Sequence, residues 1–144
     1  MIARSPIIVF VLILLASLSP LKADPVELLL VRITPQVVER DETVSWQQAL
    51  SKVTQAGKPV VVNIDAVPLA IRVTVTPFVQ GKNFLVVVQG DVKKVNALGT
   101  RLSTSLQSVL VHPGEPIVFF PLGREPADTG HQMVVRMQVE FQGE

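Results

Sequence analysis

The sequence predicts a mainly β domain, an antiparallel sandwich or curled sheet of about seven strands with one short helix over Ser45–Ala56. Three observations predict it. Valine is abundant, with 24 copies after residue 23, and branching at Cβ suits a pleated surface better than a helix. Apolar and other residues alternate with period two over several long stretches, which indicates strands with one face buried. Clusters of Gly, Pro and Asn punctuate those stretches at spacings that suit hairpins.

The elements follow in chain order. Residues 1–23 have the three-part layout of a secretory signal peptide: a short start bearing Arg4, an apolar run from Ile7 to Leu18, and Ser19-Pro20 before Leu21-Lys22-Ala23. Cleavage near Ala23–Asp24 is expected, leaving 24–144 as a single domain, periplasmic or associated with the outer membrane. The apolar run falls short of the roughly 20 residues that span a bilayer, and no later stretch is longer. Val26–Ile33 is the first expected strand. Glu39, Arg40, Asp41 and Glu42 form a mixed-charge loop that compensates itself in solvent.

The one helical pattern comes next. Trp46, Ala49, Leu50 and Val53 lie at helical spacing, Ser45 with Gln48 fits a capping box, and Gly57 is placed to end the helix. Trp46 is expected to pack in the core. Pro59–Ile64, Leu69–Thr76, Phe84–Gln89, Arg101–Val111, Ile117–Phe120 and Gln132–Gln142 then read as strands. Gln80-Gly81-Lys82-Asn83 and His112-Pro113-Gly114-Glu115-Pro116 read as turns, and Gly123–Gly130 as a longer polar loop.

Composition excludes several chemistries. The 144 residues carry 13 basic and 12 acidic side chains, too balanced for binding nucleic acid by bulk charge. No Cys is present, so thiol catalysis, disulfides and thiolate metal sites are impossible. No glycine-rich phosphate loop and no G-x-S-x-G nucleophile turn occurs. The histidines, His112 and His131, sit in loops, and a metal site would need them to meet with Asp128 or Glu115. Ser103, Ser105 and Ser108 lie in a strand-like segment, and Lys93-Lys94 is an isolated basic pair. No catalytic, cofactor-binding or metal-binding residue is assigned, and an activity as an enzyme is not expected.

Ile71-Arg72-Val73-Thr74-Val75-Thr76-Pro77-Phe78-Val79, followed by Gly81-Lys82-Asn83 and Phe84-Leu85-Val86-Val87-Val88, resembles a hairpin of the secretin family, the outer-membrane channels of bacterial secretion and type IV pili. Val109–Leu122, with Pro113-Gly114 at its turn, resembles the strand–Gly–strand element of the same family. The Gly-Gly pair normally found before the closing Leu is replaced by Phe120-Pro121, and the match covers about Leu69–Gly123. More faintly, the helix from Ser45 with Val60–Asp65 is similar to the helix-then-strand unit of small periplasmic modules that precede such channels. Ile33-Thr34-Pro35-Gln36-Val37 echoes Val75-Thr76-Pro77-Phe78-Val79, as a duplicated hairpin half or, the favoured reading, two independent strand endings at proline.

The resemblance implies a non-enzymatic component or accessory of an outer-membrane secretion or pilus apparatus. Such a protein would act through protein–protein contacts, or self-association, at exposed strand edges. The alternative is an independent periplasmic β-sandwich that binds a small ligand or partner, with a pocket near Gly123–His131. A hydrolase, ranked third, would need His112 or His131 beside a carboxylate.

Overall fold

The computed structural model describes residues 26–66, 68–124 and 131–143. The expected leader 1–23, Asp128 and most of the Gly123–Gly130 loop lie outside the described residues. Among the described residues nine strands form: β1 Leu28–Val38, β2 Val44–Gln47, β3 Leu50–Gln55, β4 Val60–Ala66, β5 Leu69–Gln80, β6 Asn83–Asn96, β7 Gly99–Val111, β8 Ile117–Phe119 and β9 Gln132–Phe141. Sheet A runs β2-β1-β9-β8, with β3 also on β1; sheet B runs β4-β5-β6-β7. Every pairing is antiparallel. Among the described residues no helix is long and apolar enough to cross a membrane.

Period two builds the core between the sheets. Leu29, Val31 and Ile33 of β1 and Val135, Met137 and Val139 of β9 turn inward from sheet A. Val60, Val62 and Ile64, then Ile71, Val73 and Val75, then Phe84, Val86 and Val88 answer from β4, β5 and β6. Aromatic rings add contacts between the layers. The rings of Phe84 and Phe141 lie 4.6 Å apart between centroids, within the range of favourable aromatic pairs. The ring of Phe119 covers Gly90, where an added Cβ would sit 2.8 Å from it.

The expected helix over Ser45–Ala56 does not form; the segment is β2 and β3. From Trp46 to Gln55 they keep a single register along β1, Gln36 opposite Gln47 and Ile33 opposite Leu50, with a shift between Val37 and Val38 before it. They act as one outer strand interrupted at Gln48–Ala49. The interruption faces Pro35, which has no N–H to donate. Gln48 N–H donates to the Pro35 carbonyl at 3.1 Å, and the return bond cannot be made. Trp46 is 41% exposed and Val53 50%, so neither is a core residue. The helical spacing misleads because this edge strand buries little: Thr54 is buried, Leu50 half-buried and Lys52 exposed on the face shared with Leu29, Val31 and Ile33.

Neither Thr-Pro motif ends its strand. Pro35 is inside β1 and Pro77 inside β5. The Pro77 carbonyl accepts from Gly57 N–H at 2.8 Å. Gly57, expected to end a helix, instead takes φ +80° in the turn that carries the chain from sheet A to sheet B.

Candidate functional site

The outer strand β7 is the feature that the core leaves unfinished. Among the described residues it pairs with β6 alone. On its thirteen residues the burial pattern is exposed up to Thr104 and then alternates until Val111 closes the core. Its side chains face by register. Val111 lies opposite Phe84 and Ser105 opposite Gly90, so the odd-numbered residues share the core face. The even-numbered residues face outward, and Leu102, Leu106 and Leu110 are 73%, 67% and 57% exposed. Leu110 continues an outer row with Leu85 and Phe78.

The direction of the free backbone groups follows from the next strand. Val95 N–H donates to the Pro68 carbonyl at 3.3 Å, so the polar groups of Val95 face the β5 side. Backbone direction alternates along a strand, and so the even-numbered residues of β6 turn theirs to β7. Their partners are the odd-numbered residues of β7, from Asn96 with Gly99 to Phe84 with Val111. The N–H and C=O groups of Thr100, Leu102, Thr104, Leu106, Ser108 and Leu110 therefore point to the open edge. At its end, Glu115 Oε2 accepts from His112 N–H at 2.8 Å. Asn96 Oδ1 accepts from Leu98 N–H at 2.9 Å in the β6–β7 turn, and Leu98 is 98% exposed there.

The other edges are blunted. β8 has three residues, β4 has seven and carries Asp65, and β2 and β3 are short pieces separated by a break. β7 carries one charge, Arg101, and no proline, the combination expected of an edge open to another strand.

A shallow open depression of about 660 Å³ also marks the outer face of sheet B, lined by Asp65, Arg72, Asp91, Lys93 and Thr104 among others. Its polar groups are largely committed to one another. Asp91 accepts from Gln89 Nε2 at 3.2 Å and from Thr104 Oγ1 at 2.9 Å, and Arg72 Nε donates to Asn63 Oδ1 at 3.3 Å.

The two candidate histidines lie apart, each beside one carboxylate: the His112 N–H donates to Glu115, and the His131 ring meets Glu39. The His112 ring contacts Asn83 Oδ1 at 2.8 Å through Nδ1. His131 Nδ1 is paired with Glu39, both at the surface. The turn holding His112 is tied to Val139 through Gly114 N–H, whereas His131 precedes the start of β9. The two imidazoles therefore sit towards opposite ends of that strand. Among the described residues no three His, Asp or Glu side chains gather as metal ligands. Ser103 and Ser105 take the core-facing side of β7 and Ser108 the outer side, while Lys93 and Lys94 are exposed. The segments that resemble the secretin family fold as β5, β6, the end of β7, its turn and β8. No family model, no curated protein and no solved structure matches the chain.

Proposed function

We propose that this chain is an exported, non-enzymatic β domain that acts through protein–protein contacts, as a component or accessory of an outer-membrane secretion or pilus apparatus. The observation that supports a contact role is the edge of β7: thirteen residues, one charge and three outward leucines beside a row of backbone groups unpaired among the described residues. Such an edge adds a strand from a partner by main-chain hydrogen bonding, with alternate side chains setting specificity. The signal-like leader and the resemblance over Leu69–Gly123 supply the cellular setting of the proposal. Its test is isolation of the tagged protein from its own cells. Recovery in a detergent-released envelope complex of high mass is expected. A protein recovered free of membrane and free of partners contradicts the proposal.

A further inference from the structure

Resting on that contact role, we propose that the partner of β7 is β7 of a second copy of this chain. The two would pair antiparallel about a two-fold axis through Leu106, joining two four-stranded sheets into one continuous sheet. A two-fold interface must be complementary to itself. The outward side chains of β7 read Leu102, Thr104, Leu106, Ser108, Leu110, nearly the same in both directions. With the axis at Leu106, Leu106 meets Leu106 of the second copy, Leu102 meets Leu110, and Thr104 meets Ser108. An axis one residue away, at Ser105, sets leucines opposite Ser108 and Thr100 and loses that match.

The backbone fits the same register. Leu102, Thr104, Leu106, Ser108 and Leu110 all turn their N–H and C=O groups to the open edge, giving five hydrogen-bonded pairs and about ten bonds. Charge fits as well. Arg101 of one copy falls opposite Val111 of the other, so the two arginines stand roughly 33 Å apart along the strands. Each lies at the end where Glu115 of the other copy holds the last edge N–H, that of His112. Opposite charges therefore meet at both ends and like charges are kept apart. The three leucines, 57–73% exposed in one copy, cover one another across the axis.

Single-cysteine cross-linking tests the register, because the natural chain has no Cys. Paired Cα atoms about 5.5 Å apart fall within the range a disulfide spans. Oxidised Leu106→Cys should form a disulfide dimer alone. Leu102→Cys and Leu110→Cys should each form no disulfide dimer alone on oxidation and should cross-link only when mixed. Wild type should sediment at twice the monomer mass, and Leu106→Lys, a change at an exposed position, at the monomer mass while still unfolding in one cooperative thermal transition. Equal cross-linking of all three variants, or a monomeric wild type, overturns the proposal. A monomeric wild type that is still held in an envelope complex, or a Leu106→Cys cross-link to a different chain, overturns self-pairing and leaves the contact role standing. A monomer found free of the envelope overturns both.

Discussion

The outer strand of sheet A and the outer strand of sheet B end their sheets in opposite ways. β2 and β3 keep one register along β1 from Trp46 to Gln55, yet the ladder breaks at Gln48–Ala49 because Pro35 faces them without a donor. A charged turn, Glu39 to Glu42, leads into that edge, and Lys52 stands on it. β7 runs thirteen residues with one charge and no break. A proline in a neighbouring strand can thus protect an edge that carries no proline of its own. Sheet B has its proline in β5, two strands from β7, where it limits only the end nearest β4. Among the described residues one sheet has a broken outer strand and the other has a long unbroken one.

The largest effect is expected where β7 takes its support. Gly90 lies opposite Ser105, and a Cβ there would meet the Phe119 ring at 2.8 and 2.9 Å and Ser105 Oγ at 3.2 Å. Phe119 is buried between the sheets and has little room to move. Gly90→Ala should cost about 1–3 kcal/mol by overpacking, read as a lowered denaturant midpoint with faster amide exchange along β7 than along β3. Uniform acceleration in both strands would show that β7 is not specifically held at this point.

A smaller effect should follow from restoring the missing donor on the other edge. Pro35→Ala places an N–H opposite Gln48, and the bond gained, about 1 kcal/mol, is set against greater freedom of the unfolded chain and the packing lost with the fully buried Pro35 ring. Stability should fall by about 1 kcal/mol while the new amide at residue 35 becomes protected from exchange. Rapid exchange there would mean that something other than proline interrupts the ladder. The smallest effect belongs to the turn before β2. The Thr43 hydroxyl, donating to Asp41 at 2.6 Å, and then the Thr43 N–H hold the Asp41 carboxyl below its ordinary value. A depressed carboxyl adds stability above its ordinary pKa and loses it as pH falls through the lowered one. Thr43→Val should raise the Asp41 titration midpoint, followed by carboxyl chemical shifts; an unmoved midpoint would remove the hydroxyl as the cause.

Much of the fold was legible where alternation coincided with burial. The residues that alternate in β5, β6 and β9 are those that meet in the core, so local pattern and tertiary contact agree. In Ser45–Ala56 they disagree. Leu50 and Val53 point to different faces of an edge strand whose stability comes from bonds to β1 more than from its own burial. Helical spacing was the stronger local signal, and it was the wrong one. The candidate surface was half legible. Leu102, Leu106 and Leu110 belong to a weaker alternation, and period two with one buried face would send them inward. The register set by the Asn96–Gly99 hairpin puts Val111 and Ser105 on the core face instead. A shift of one residue reverses every side chain, and nothing within β7 fixes which way it falls.

The sequence by itself determined that most of this chain would be strand, where most of those strands lie, and which chemistries its composition excludes. Those properties follow from side-chain branching, turn residues and the presence or absence of functional groups, all of which are local. Only the tertiary structure decided that the Ser45–Ala56 segment joins a sheet, that β7 stands at an open edge, and that its leucines face outward. Each of those depends on which strand lies alongside, and backbone pairing across a sheet is set by residues far apart in the chain.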